Sequence, residues 1–241
     1  MKVKPKDFKQ YFVYGMHTVT AVLKYQPFRA KKLFVARKKD AQDLIFLAKQ
    51  NGVDCEELER HVLEHRFSVE SDAQGIVLVC SSFDYLGLED VLVTNPNKLL
   101  LLDSWQDSVN VGRAARAALA FGIDAIVMCK DRSVAINAHA EKAAVGALSQ
   151  VKVVRVTNLA SAIEKIKAQN MFVYGAAENG EVLLNKCDFA NKVAIVVGQE
   201  GDGLRTLTKK SCDVLVRIPA QNICLNAADS ALLFLYQLSI R

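Results

Sequence analysis

The chain has 241 residues, 51% of them hydrophobic and 24% charged, with only 4 prolines, which excludes a disordered or fibrous protein and leaves material for a substantial core. No apolar run, Ala231 to Leu235 being among the longest, approaches the roughly eighteen residues a membrane span needs. The basic start, Met1 to Lys6, leads into Asp7, Lys9 and Gln10 instead of the apolar stretch of a secretory signal, so a cytoplasmic protein with no membrane partner is expected.

The net charge of +5 is unevenly spread. Basic residues dominate from Lys2 to Lys39 (Lys2, Lys4, Lys6, Lys9, Lys24, Arg29, Lys31, Lys32, Arg37, Lys38 and Lys39 against Asp7 alone), whereas Asp40 to Asp90 is acidic. A cationic amino end attracts polyanions and releases their counterions on binding, which points to nucleic acid.

In chain order, the first eighty residues alternate between helix and strand. Helices are predicted over His17 to Leu23 and Ala41 to Gln50, the latter stopped by Asn51-Gly52, with a short one further on. Strands are predicted over Lys32 to Ala36, Val53 to Leu58 and Gly75 to Cys80. This makes residues 1–82 a small α/β unit. From Phe83 to Lys98 periodicity fades among Gly87, Asn95, Pro96 and Asn97, so 83–98 reads as a linker.

A second domain, 99–241, begins with Leu99 to Leu102, an apolar run suited to a strand buried on both faces of a parallel sheet. Strands follow at Ala125 to Cys129, Val151 to Val156, Met171 to Ala176, Val193 to Val197 and Val214 to Ile218. Between and after them lie helices at Val111 to Phe121, His139 to Leu148, Leu159 to Gln169, Leu204 to Lys210 and Asn226 to Ile240. Such alternation implies βαβ crossovers, with ligands beyond the carboxyl ends of the strands.

Three of the loops there carry chemistry. Asp107 to Arg116 enters a helix, with Asn110 read as its N-cap and with Arg113 and Arg116 on one face. Two guanidiniums near a helix start oppose the macrodipole, a cost that an anionic partner would offset. Gly198-Gln199-Glu200-Gly201-Asp202-Gly203-Leu204 lets a ligand approach backbone amides closely, but its spacing is not that of a dinucleotide fingerprint. Ile218 to Ala228 mixes polar and apolar groups between the last strand and the last helix.

Taken together and in this order, the three loops resemble the motifs of the SpoU (TrmH-like) branch of the SPOUT RNA methyltransferases. The amino-terminal unit, through Tyr14-Gly15-Met16-His17 and Gln74-Gly75-Ile76-Val77, resembles the ribosomal-protein-like RNA-binding domain of the large-subunit rRNA ribose methylases. The resemblance implies a parallel-sheet α/β catalytic domain with a carboxyl-terminal trefoil knot, an exception to the rule against threading. It implies a homodimer that binds S-adenosyl-L-methionine (SAM) around Gly198, Ile218 and Leu225, and RNA, rRNA before tRNA, as substrate. It gives Arg116 the catalytic part with Asn110 as its partner, while Glu200 and Asn226 brace the loops. The chain departs from the family pattern at Cys224, in a shortened loop from Ile218 to Leu225, at Ala144-Val145 ahead of Gly146, at Ser108, and at Ala73.

Other patterns carry less. His61-Val62-Leu63-Glu64-His65 fits an inverted zinc-protease motif but has no evident third ligand, and a charged helix face is the simpler reading. The six cysteines show no C-x-x-C spacing, so neither a metal site nor a disulfide framework is expected. His139 reads as a surface residue and Cys224 as a packed thiol. Two rival functions fit the same composition: an RNA-binding protein of this fold without turnover, and a nucleotide-dependent enzyme acting on a small molecule.

Overall fold

A computed structural model describes residues 10–220 and 225–240. They form two compact units: one holds the described residues up to Phe83 together with Ile136–Gln150, the other Asp84–Ala135 with the rest from Val151 on.

The first unit is built on four strands, β1 (Phe12–Tyr14), β2 (Ala30–Val35), β3 (Asp54–Glu57) and β4 (Ile76–Cys80), in the order β1-β4-β2-β3. β4 runs antiparallel to both of its neighbours, and β2 and β3 are parallel. Alternation of side chains between the two faces of a strand fixes what each face buries. Leu33, Val35, Ile76, Leu78 and Cys80 pack with Val19, Val22, Leu44 and Ala48 of helices α1 (Met16–Tyr25) and α2 (Gln42–Gln50). Phe34, Val77 and Val79 face the other way, onto Leu63 and Phe67 of α3 (Arg60–Phe67).

Within this unit lies an ion pair the sequence does not advertise. Arg29, counted above among the cations of the amino end, is fully buried and meets Glu141 at 2.7 Å, and Glu141 is itself 1% exposed. Tyr11 donates its hydroxyl to the same carboxylate oxygen at 2.7 Å, and Gln26 accepts from Arg29 at 2.6 Å. Burial works against the Arg29 charge, but Glu141 outweighs it and holds the guanidinium above its ordinary range. Desolvation first, and Glu141 second, push the Tyr11 hydroxyl far up.

The second unit carries a seven-stranded parallel sheet. Its strands, in chain order, are β5 (Lys98–Asp103), β6 (Ala125–Cys129), β7 (Lys152–Val156), β8 (Phe172–Ala176), β9 (Val182–Leu183), β10 (Val193–Gly198) and β11 (Val214–Arg217). In space they lie in the order β7-β6-β5-β10-β8-β11-β9. Leu99 to Leu102 are all fully buried, as a strand covered on both faces requires. One face packs on α4 (Leu88–Leu92) and α7 (Leu159–Lys167), with Leu204 and Cys212 of the α8 (Thr206–Ser211) region against it. Two further helices, α5 (Ser108–Ala120) and α9 (Ala227–Ser239), pack on each other and on β6 and β10.

Some boundaries differ from those predicted, for identifiable reasons. α4 lies inside the stretch read as linker: Leu88, Val91 and Leu92 make one short apolar face, and Asp90 accepts from the Gly87 amide at 3.2 Å. The helix predicted to Leu148 is α6 (Ala138–Ala144); Val145 (φ 52°) and Gly146 (φ 85°) turn left-handed and end it. Asn110 is not the N-cap of α5. Asp107 takes that place, its carboxylate accepting from the Val109 amide at 2.7 Å, and so leaves the Asn110 amide free for other work.

Candidate active site at the carboxyl ends of the parallel strands

The three loops singled out above meet. Asn110, in the first turn of α5 and 5% exposed, donates from Nδ2 to Oε1 of Glu200 at 3.0 Å, and Asn226 donates to Oδ1 of Asn110 at 3.2 Å and also to Glu200. Asn226 caps α9, its Oδ1 accepting from the Ala228 amide at 2.8 Å. One hydrogen-bonded triangle therefore joins the loop after β5, the loop after β10 and the start of α9. Arg113 meets Asp229 at 2.6 Å, tying α5 to α9. Arg116, one turn further along α5, is exposed, and nothing among the described residues pairs with its guanidinium.

Beside the triangle lies a cleft of about 240 Å³, walled at the carboxyl ends of β8 (Ala176 to Asn179), β10 (Gly198, Gln199 and Gly201 to Leu204) and β11 (Ile218, Ala220), and closed by Leu225 and Phe234. Gly198, Ile218 and Leu225 all line it. Gly198 is required by space: a Cβ there would stand 2.1 Å from the Gly203 carbonyl carbon and 2.2 Å from its oxygen. Cys224 lies outside the described residues.

Sequence reasoning missed the cleft wall after β8, where Asn179 accepts from Lys209 at 2.6 Å, because Ala-Ala-Glu-Asn carries no recognisable motif. It also missed how the glycine loop is held. Asp103, fully buried at the end of β5, accepts from the Arg205 amide at 2.9 Å and from Arg205 Nε at 2.8 Å. The adjacent Cys129 thiol is pushed up by burial. Apolar neighbours hide such an aspartate in the sequence, since Leu-Leu-Leu-Leu-Asp reads only as the end of a strand.

The other patterns resolve more simply. His139 is exposed and reaches the Tyr14 hydroxyl at 3.2 Å. In α3, His61 pairs with Glu59 and Glu64 with Arg60, a charged face.

The parallel sheet, the Asn-Glu-Asn triangle and the glycine-lined cleft all lie within the residues that one family model matches. The SpoU rRNA Methylase family model covers residues 97–236, and a model for the substrate-binding domain of RNA 2′-O ribose methyltransferases covers 12–86; the chain belongs to the SpoU rRNA Methylase family. Among its relatives is the 23S rRNA (guanosine-2′-O-)-methyltransferase RlmB of Coxiella burnetii, 38% identical over 216 residues that span 86% of this chain and 85% of that one. The Escherichia coli K12 protein of the same name is 32% identical over 214 residues, 86% of this chain and 88% of its own. In fold the chain is similar to an AdoMet-bound rRNA methyltransferase from Sinorhizobium meliloti, with a TM-score of 0.80, 20% identity and coverage of 95% and 86%. It is also similar to the SpoU methyltransferase AviRb of Streptomyces viridochromogenes in complex with AdoMet (0.77, 18%, 95% and 88%).

Proposed function

We infer that this protein is a SAM-dependent methyltransferase of the ribose 2′-hydroxyl of ribosomal RNA. The observation that carries the reading is the triangle of Asn110, Glu200 and Asn226, which joins the helix that carries Arg116 to the loop that lines the cleft. The cleft fits the cofactor on its own terms. Val216, Ile218, Leu225 and Phe234 offer an apolar wall for a nucleobase, while the carboxylates of Glu178 and Asp202, against the single cation Lys209, leave the lining net acidic and favour a ligand that carries positive charge. The backbone concavity at Gly198 is one a Cβ would fill.

Bound there, SAM supplies a methyl group on a positively charged sulfur that departs neutral. The protein's share is to align the ribose oxygen and to let its proton go. An arginine stays protonated far above neutral pH, so Arg116 serves to orient the hydroxyl and neighbouring phosphate, and the proton leaves late or to solvent. Glu200 and Asn226 keep the loops around that alignment rigid.

Ribosomal RNA is favoured over tRNA because the relatives spanning both units are named for 23S rRNA. A bacterial cytoplasm is the matching location, and no helix among the described residues is long and apolar enough to cross a membrane. The homodimer belongs to the same reading. Val109 and Leu119 of α5 and Leu232, Leu233 and Tyr236 of α9 are exposed large apolar groups, and Arg116 shares the outward face of α5. Sedimentation of wild type and Tyr236→Asp tests it: a dimer and a monomer are expected, and a monomeric wild type contradicts it. The trefoil knot rests on membership of the family; a crystal structure with an unthreaded chain would overturn it.

Purified protein given SAM with a labelled methyl group and an rRNA transcript should yield label in 2′-O-methylated nucleotides. Retention of the transcript without any label would favour the RNA-binding rival.

A further inference from the structure

Next to the cofactor cleft, and sharing Gln199 with it, lie two cavities that also have Gln106 in common. One, of about 200 Å³, holds Asn110 and Glu200; the other, of about 320 Å³, holds Ser104, Arg132 and Arg205. Adjoining through these shared walls, they make a groove with Asn110 and Glu200 in one part and Arg132 in the other. Arg205 is occupied by Asp103, and Asp202, the acid of the second cavity, accepts from the Gln199 amide at 2.6 Å. No partner for the Arg132 guanidinium is found among the described residues.

The backbone here is held against its preference. Ser104 (φ 65°) and Arg132 (φ 60°) are both left-handed without being glycine, and both line the same cavity. Gln106 fixes the second of them, donating from Nε2 to the Arg132 carbonyl at 2.6 Å, and the Val134 amide donates to the Trp105 carbonyl at 2.8 Å. The loops after β5 and β6 are thus pinned to each other at the carboxyl edge of the sheet. Strain of this kind persists where surrounding contacts impose it, and it concentrates at ligand clamps.

We propose that this groove seats the target nucleotide, with its ribose at the triangle and one flanking phosphate on Arg132, while Arg116 lies on the other side of the ribose. The proposal rests on the methyltransferase reading and adds a positioning residue to it. A guanidinium carried on a pinned backbone beside the reacting sugar holds a phosphodiester in a forked, charge-assisted pair, which sets the approach of the 2′-oxygen without taking part in the chemistry.

The test uses full-length protein and an rRNA fragment that the wild type methylates. Arg132→Asn removes the charge but keeps a residue that tolerates the left-handed backbone, and Arg132→Lys keeps the charge without the fork. For the Asn variant, KM for RNA is expected to rise about tenfold, with SAM affinity unchanged. Its plot of log affinity for RNA against log salt should lose about 0.7 from its slope, one phosphate contact on a single strand, and Lys should restore that slope. A wild-type KM and salt slope in the Asn variant would overturn the proposal, as would a loss of SAM affinity equal to that of RNA. A wild type that binds this RNA but never methylates ribose removes the underlying reading instead, and this proposal with it.

Discussion

Replacing Glu141 by Ala is expected to be among the most destabilising single changes in the chain. The Arg29 side chain is fully buried and that of Glu141 is 1% exposed, so neither charge is relieved by solvent. With the carboxylate gone, Arg29 keeps, among the described residues, Gln26 and the rings of Tyr11 and Phe83, whose centroids lie 5.6 and 5.2 Å from its guanidinium, and the Tyr11 hydroxyl loses its acceptor. Breaking a buried pair from one side costs about 3–5 kcal/mol, a large fraction of the roughly 5–15 kcal/mol that stabilises a typical domain. Glu141→Gln keeps an acceptor and should fall at or below the lower end. Arg29→Met with Glu141→Leu removes both charges and should recover most of the loss. Urea denaturation followed by circular dichroism measures each step. Single variants that cost less than about 1 kcal/mol, or a double variant worse than both singles, would refute the reasoning.

Three further outcomes are expected. Gly198→Ala must displace the loop at Gly203 and should weaken SAM binding at least about tenfold, read by calorimetry; wild-type affinity would mean that the cleft is not the cofactor site. Asp103→Asn leaves Arg205 without its buried counter-charge; with Arg205 37% exposed the cost is expected near 2 kcal/mol, accompanied by weaker SAM binding, and no change in either would show that the glycine loop holds without it. Burial pushes the Cys80 and Cys212 thiols up to about 12 from the ordinary 9.0. Both should therefore resist iodoacetamide at pH 8 in the folded protein, because the thiolate is the nucleophile. Since the unfolded chain sheds these protons first, their contribution to stability is whole below pH 9 and is lost as pH rises from about 9 towards 12. Rapid alkylation of either in the native state, located by peptide mapping, would contradict this.

How much the sequence disclosed depended on whether the cause was local. Leu99 to Leu102 and Val193 to Val197 announce buried parallel strands by composition alone, and the family resemblance singled out Asn110, Glu200 and Asn226, though it paired Asn110 with Arg116 and did not foresee the bonds it makes with the other two. What stayed hidden was pairing between distant residues. Nothing near Arg29 distinguishes it from Lys31 or Lys32, yet a glutamate 112 positions away removes it from the surface. Asn110 and Asp107 are both good caps, and only the geometry of the turn decides between them. β1 was missed because Phe12 to Tyr14 is three residues long and owes its existence to β4 beside it. The union of Ile136–Gln150 with the amino-terminal unit rests on the same kind of long-range contact, through Glu141.

The most direct test of ribose methylation is a map of 2′-O-methyl groups across rRNA from cells carrying the intact gene, no gene, or the Arg116→Ala allele. One ribose mark present only with the intact gene is predicted, with the Arg116→Ala protein still binding SAM. An unchanged map in all three strains, or a mark that survives in the Arg116→Ala strain, would contradict it.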